Sequence, residues 1–343
     1  MLYPLLFESN LIPLVWGGHR LKHLKGLPAD KEPIGESWEV STFHGRESIV
    51  SNGLHAGKKL TELTQQYGPL LLGKSIYERF GDDFPILVKF LDVDGKLSVQ
   101  VHPDNKLAML RHGCFGKTEM WYVVDADPGS YVYAGFNEDI TVEEYRQRAK
   151  DGTISDVLAK HPISRGDAFF IPAGRIHAIC GKALIIEVQQ HSDITYRIYD
   201  HGRLGLDGKP RKLHTEEAIS ALDFIVHKEY SINYPNVMNQ ANPVCECEFF
   251  TVRLLRFNQT QNRNLFHQDS FVIYVCFQGE CKIGESLLLK QGQSCLVPAS
   301  CADIVIAPSI DNCETELLEI FINHELNDKS QERIGANSFF CPH

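Results

Sequence analysis

Gly166-Asp167-Ala168-Phe169-Phe170-Ile171-Pro172 and Gly292-Gln293-Ser294-Cys295-Leu296-Val297-Pro298 share one pattern: a glycine, a short apolar run and a closing proline. Each reads as a turn, a strand and a stop, so the two halves of the chain look like copies of one β unit. Outward from these two anchors, apolar or alternating runs at 84–91, 97–102, 120–125, 168–171, 183–189, 251–257, 271–277, 294–297 and 316–322 read as further strands. Helices are few and short: 61–70, 104–111, one opened by Thr141 with a capping pattern, and 215–221. Residues 230–243 are polar with two prolines and read as a linker.

The first copy continues Ala173-Gly174-Arg175-Ile176-His177, which puts a histidine five residues past the proline; in the second copy Asp303 holds that place. This G-x5-P-x-G-x2-H run resembles the second motif of the cupins, jelly-roll barrels that hold a metal inside. The expected architecture is therefore mainly β, two cupin-type jelly-roll barrels with a few short helices. Residues 1–235 are expected to form a metal-binding catalytic domain, and 236–343 a degenerate β domain without metal.

Composition agrees with two ordinary globular domains. The 343 residues are 43% hydrophobic, 10% aromatic and 23% charged, and at ~150 residues per domain the length suggests about two. Lys and Arg number 34 against 44 Asp and Glu, a net charge of −10, with no basic stripe for a nucleic-acid backbone. An anionic ligand must then be held by a few local cations. Ten cysteines contain no CxxC pair, which argues against a zinc ribbon and for reduced thiols in a cytoplasmic protein. The start, Met1-Leu2-Tyr3-Pro4-Leu5-Leu6-Phe7-Glu8, lacks the cationic opening and long apolar run of a signal peptide. No stretch approaches the ~20 apolar residues of a membrane span.

In Leu97-Ser98-Val99-Gln100-Val101-His102-Pro103-Asp104, strand alternation puts Ser98, Gln100 and His102 on one face. Read alone, this is a solvated strand face. Read with Glu119, in Gly116-Lys117-Thr118-Glu119-Met120-Trp121-Tyr122, and with His177, it offers two oxygens and two imidazole nitrogens. That set suits zinc, with iron, manganese or cobalt as other occupants.

The chain resembles the type I mannose-6-phosphate isomerases (phosphomannose isomerases) in their short bacterial form. The resemblance rests on Val15-Trp16-Gly17-Gly18, Gly35-Glu36-Ser37-Trp38-Glu39-Val40-Ser41 and Leu87-Val88-Lys89-Phe90-Leu91-Asp92, and on residues 97–104, 116–122, 171–178 and 184–200. These cover roughly the first two-thirds of the chain; the remainder resembles only a degenerate cupin. The resemblance implies an aldose–ketose isomerase interconverting mannose 6-phosphate and fructose 6-phosphate. It also implies one zinc ion per chain on Gln100, His102, Glu119 and His177, and Arg197 in the active site. Glu119 and His177 stand 58 positions apart, so the helical insertion of longer members is absent and loops must close the site.

The reaction opens the sugar ring and moves a proton between C2 and C1 through a cis-enediol, so charge grows on the carbonyl oxygen. A divalent cation or a fixed Arg beside that oxygen stabilises it. Glu187 is the preferred base, since alternation puts it and Gln189 on one face of the strand after His177; its alternative role is a carboxylate held by Arg197, or a support for a ligand histidine. Lys117, two residues before Glu119, is a second acid/base candidate, with a pKa that a neighbouring dication would lower. Lys89 with Ser98 fits the family's phosphate-binding place, a task Arg197 can also serve, and Trp16 and Trp38 are candidate cleft walls. Two other classes stay open. One is a non-haem iron oxygenase built on His102, Glu119 and His177; the other is a non-catalytic sugar-phosphate-binding cupin. The oligomeric state is left open by the sequence.

Overall fold

The computed structural model describes residues 2–28, 32–301, 303–311 and 313–323. The molecule is mainly β, as expected, and built from two units of curled sheets. The strands Ala168–Ile171, Thr251–Phe257 and Ser294–Val297 stand where the sequence puts them. The expected strand at 183–189 is instead the 14-residue strand His177–Gln190. It runs through the apparent break at Gly181 because that glycine pairs with Gly95 of the neighbouring strand.

This long strand is the axis of the first unit. Its second half lies between Ile86–Lys96 on one side and Glu119–Ala126 on the other, while its first half pairs with Tyr131–Phe136. At its start His177 faces Gln100 of the strand Val99–Val101, and Gln100 also faces Arg197 of the strand Tyr196–Tyr199. Segments far apart in sequence thereby converge on one end of the barrel.

The second unit has a six-stranded sheet, centred on Val272–Gln278 and Thr315–Phe321, and a four-stranded sheet centred on Glu280–Ile283 and Asp303–Pro308. The strand Leu5–Leu6 pairs with Ser294–Val297, so the start of the chain is hydrogen-bonded into the second unit. One apolar cluster takes residues from both units, with Phe84 and Phe271 rings 4.5 Å apart. The expected linker is strapped down: Ile232 N donates to the Ala168 carbonyl at 2.8 Å and Tyr230 Oη to that of Phe136 at 3.0 Å. The strand Gln240–Glu246 then opens the second unit.

The two barrels repeat one arrangement of side chains. Glu187 pairs across the sheet with Lys89 and Trp121, and Glu319 pairs with Arg253 and Tyr274. Trp121 Nε1 donates to Glu187 at 3.2 Å; Tyr274 Oη donates to Glu319 at 3.0 Å. Counting residues from the proline fails at one point. Asp303 is exposed, and the inward side chain on that strand is Ile304, which faces Arg263. The short turn Ala299–Cys301 displaces the register by one residue, and one residue changes the face. Among the described residues, no helix is long and apolar enough to cross a membrane.

Candidate metal centre and active site

The segment after Val101 is held by its own sequence. Pro103 ends the strand, and Asp104 caps the helix Asn105–His112, its Oδ1 accepting from Leu107 N at 2.7 Å. The loop carrying Glu119 docks onto that helix start. A Cβ on Gly116 would lie 2.4 Å from the carbonyl carbon of Asp104, so only glycine permits the approach. Lys117 N donates to the Pro103 carbonyl at 3.0 Å, and Thr118 N to Gln190 Oε1 at 2.9 Å. Glu119 is thus delivered beside His102.

His102, Glu119 and His177 meet in the barrel interior, all fully or almost fully buried, with one donor atom each inside a 4.8 Å span. Glu119 Oε2 is 3.7 Å from His102 Nε2, and Oε1 is 3.4 Å from His177 Nε2. A tetrahedral ion with bonds of ~2 Å has edges of about 3.3 Å, close to these separations. The tautomers fit as well. His102 Nδ1 lies 2.8 Å from the Ile194 carbonyl and His177 Nδ1 lies 2.8 Å from that of Arg175. A carbonyl only accepts, so each Nδ1 carries the proton and each Nε2 presents a lone pair. Both Nε2 atoms and Glu119 Oε1 are buried without a hydrogen-bond partner, while Glu119 Oε2 has the Lys117 ammonium at 3.0 Å. Such orphaned lone pairs are costly unless a cation shares them. Burial also holds both imidazoles neutral, with His177 down to about 4 and His102 well below its ordinary value, which suits a metal ligand. The residues present fit a divalent metal.

In front of this group opens a cavity of about 370 Å³. Gln100, Lys117, Glu187, Arg197, Lys89, Ser98 and both Trp16 and Trp38 line it, so every residue singled out in the sequence reaches the cavity or the group behind it. Gln100 is next to His177 by register.

The electrostatics differ from a simple basic pocket. Lys89 Nζ lies 3.6 Å from Glu36, 3.5 Å from Glu187 and 3.9 Å from Asp193, and 4.6 Å above the Trp38 ring. Burial opposes its charge, but Glu36, Glu187 and Asp193 outweigh burial and hold its pKa above the usual lysine value. Lys117 Nζ is 3.0 Å from Glu119 Oε2. Burial again works against its charge, and Glu119, Glu187 and Asp193 hold its pKa above the usual lysine value. Glu187 is penalised by burial, yet Lys117 and Lys89 draw its pKa down, whereas burial pushes that of Glu119 up. Glu187 is held by Lys89 and Trp121 rather than by Arg197.

Reasoning from the sequence missed Arg46, Asp193, Thr195 and Arg211, which also line the cavity. Asp193 and Thr195 sit in the run 184–200 already singled out and could have been found by alternation toward Arg197. Arg211, after Lys209-Pro210, carries no local signal; only the fold brings it in.

Residues 8–142 match the sequence profile of phosphomannose isomerase type I, catalytic domain. The chain is 34% identical over 304 residues to the mannose-6-phosphate isomerase of Streptococcus mutans, covering 87% of this chain and 93% of that protein. It is 31% identical over 301 residues to mannose-6-phosphate isomerase ManA of Bacillus subtilis, covering 86% and 93%. The crystal structure of the mannose 6-phosphate isomerase from Bacillus subtilis superposes with a TM-score of 0.82 at 29% identity, covering 93% of this chain and 99% of that one.

Proposed function

This chain belongs to the type I mannose-6-phosphate isomerases, and from that premise we propose a zinc-dependent interconversion of mannose 6-phosphate and fructose 6-phosphate through a cis-enediolate. The supporting observation is the convergence of the buried, unpartnered His102 Nε2, His177 Nε2 and Glu119 Oε1 at the back of a cavity lined by Glu187, Lys117 and Arg197. In this reading Gln100 completes the ligand set and each chain holds one zinc ion. Bound there, redox-silent zinc supplies Lewis-acid stabilisation of charge developing on the substrate oxygens.

The chain's own groups do the rest. Glu187, ionised and oriented by Lys89 and the Trp121 N–H, takes the proton from C2 and returns it to C1 on the same face of the enediol. Lys117, protonated and braced by Glu119, gives a proton to the ring oxygen as the C1–O5 bond breaks, and the anomeric hydroxyl loses its proton to solvent in the cavity, so the open-chain aldehyde forms with no net proton change. Arg197 steadies the enediolate from the opposite wall. Lys89, Ser98 and Trp16 form the wall against which the sugar phosphate rests. Work in the cytosol is consistent with the nine described cysteines, all of them free thiols.

Metal analysis of the purified protein beside a coupled assay with mannose 6-phosphate tests this. One zinc per chain and turnover are expected, and Glu119→Gln is expected to lose most bound zinc and at least about 100-fold of activity. Oxygen consumption by an iron form, without isomerisation under argon, would replace the reading with an oxygenase. Full turnover by metal-free enzyme would end it.

A further inference from the structure

The charges around the cavity are unevenly spread. At the inner end two lysines, Lys89 and Lys117, face four carboxylates: Glu36, Glu119, Glu187 and Asp193. Arg46, over the Trp38 ring at 5.2 Å, adds one more cation on that side, so with a dication bound it carries a single positive charge, short of what a phosphate dianion needs. At the opposite wall three guanidiniums, Arg197, Arg203 and Arg211, share the single carboxylate of Asp200. That wall carries an excess of two positive charges.

We propose that Arg211, beside Arg197, anchors the substrate phosphate, and that Asp200 is the residue that positions Arg211. The proposal rests on the sugar-phosphate reading above and moves the phosphate from Lys89 to the arginine wall.

The geometry supports it. Arg211 Nε donates to Asp200 Oδ2 at 2.8 Å and Nη2 to Oδ1 at 2.5 Å, a two-pronged grip that leaves Nη1 for the cavity it lines. Arg197 Nη1 donates to the Lys212 carbonyl at 3.1 Å, while its Nε is buried without a partner. Arg203 is tied to Asp200 and to the Lys96 carbonyl, so it contributes charge rather than a free donor fork. Residues 201–210 form an excursion closed by the Leu204–Pro210 bridge and by Gly205 N donating to the Lys209 carbonyl at 2.7 Å. Asp200 fastens both ends of that excursion, which fixes where Arg211 enters the cavity. A fixed guanidinium fork matches phosphate oxygens, and its bracing is done before substrate arrives.

The test uses metal-replete full-length enzyme and four proteins: parent, Arg211→Gln, Arg211→Lys and Asp200→Asn. KM and kcat for mannose 6-phosphate are measured, with the inhibition constant of inorganic phosphate and its affinity by calorimetry. Arg211→Gln is expected to raise KM and the phosphate inhibition constant together, by about tenfold or more, as loss of a charged hydrogen bond predicts. Its kcat is expected within about threefold of the parent, and its metal content at the parent level. Arg211→Lys keeps charge without the fork and falls between. Asp200→Asn retains Arg211 but loosens it, with an expected rise of roughly threefold in both constants. An unchanged KM and phosphate constant in Arg211→Gln, or a fall in kcat at constant KM, overturns the anchor. Should Arg211→Gln not fold, unchanged phosphate binding in Asp200→Asn overturns the positioning role. A parent that binds phosphate but never isomerises mannose 6-phosphate fails the functional reading instead, while calorimetry still decides Arg211.

Discussion

A methyl group on Gly18 would lie 2.3 Å from Asp92 Oδ1, and one on Gly17 would lie 2.6 Å from Gly35 N. The Trp16-Gly17-Gly18 run is therefore glycine where strands and a buried carboxylate crowd it, not where a turn demands it. Asp92 accepts from Leu21 N at 2.8 Å. Burial nevertheless raises its pKa to about 6, with the N–H groups of Leu21 and Arg20 opposing. Because the folded value is above the unfolded one, the stability Asp92 contributes is fully present below about pH 4 and is lost as pH rises through 6. The unfolding free energy of the parent relative to Asp92→Asn should thus fall by about 2 kcal/mol from pH 4 to pH 7 in urea titrations. A difference that does not change with pH would show that Asp92 is not carrying this burial cost.

The helix Lys74–Phe80 shows how a short element depends on a remote one. Its first N–H groups, at Lys74 and Ser75, donate to the two oxygens of Asp269 at 2.8 Å each, from the second unit. Asp269 sits at φ +46, and Gly73 at φ +99 packs so closely that a Cβ would meet the Asp269 carbonyl oxygen at 1.9 Å. Seven residues make a marginal helix alone, so this junction holds it in place. Gly73→Ala should lower stability by at least about 2 kcal/mol, through strain at positive φ and loss of the cap, visible as a lower denaturant midpoint. A midpoint equal to the parent's would refute the junction. The helix Val142–Asp151 needs no such help, since Thr141 Oγ1 accepts from Glu144 N at 3.1 Å, as its sequence pattern predicts.

Across the whole molecule, the second barrel keeps the frame of the first and replaces its ligands. Two residues before Tyr274, where Glu119 stands before Trp121, is Val272; Arg263 and Ile304 face each other as Gln100 and His177 do; and Leu265 follows Arg263 as His102 follows Gln100. Val272, Leu265 and Ile304 belong to an apolar cluster, and Arg263 instead grips Glu319 with two hydrogen bonds, at 2.9 and 2.7 Å. Among the described residues the second barrel thus lacks the donor set of the first, and under the proposed reading one zinc per chain is the stoichiometry we expect. Glu319→Gln leaves Arg263 and Arg253 without their buried carboxylate and should cost about 3–5 kcal/mol in chemical unfolding. Bound metal per folded chain should stay at one. A loss of metal from that variant would mean that the second barrel holds part of the site.

The sequence by itself determined the strand and cap chemistry, because those depend on side-chain type and spacing along a few residues, and it singled out His102, Glu119 and His177, which the fold brings together. Alternation put Ser98, Gln100 and His102 on one face, but whether that face met solvent or the barrel interior depended on strands that arrive more than seventy residues later in the chain. Only the tertiary structure decided that Lys89 is neutralised by three carboxylates, that Arg211 enters the cavity, and that Ile304 rather than Asp303 turns inward. Electrostatic balance and strand register are sums over neighbours from distant segments, and no local stretch of chain contains them.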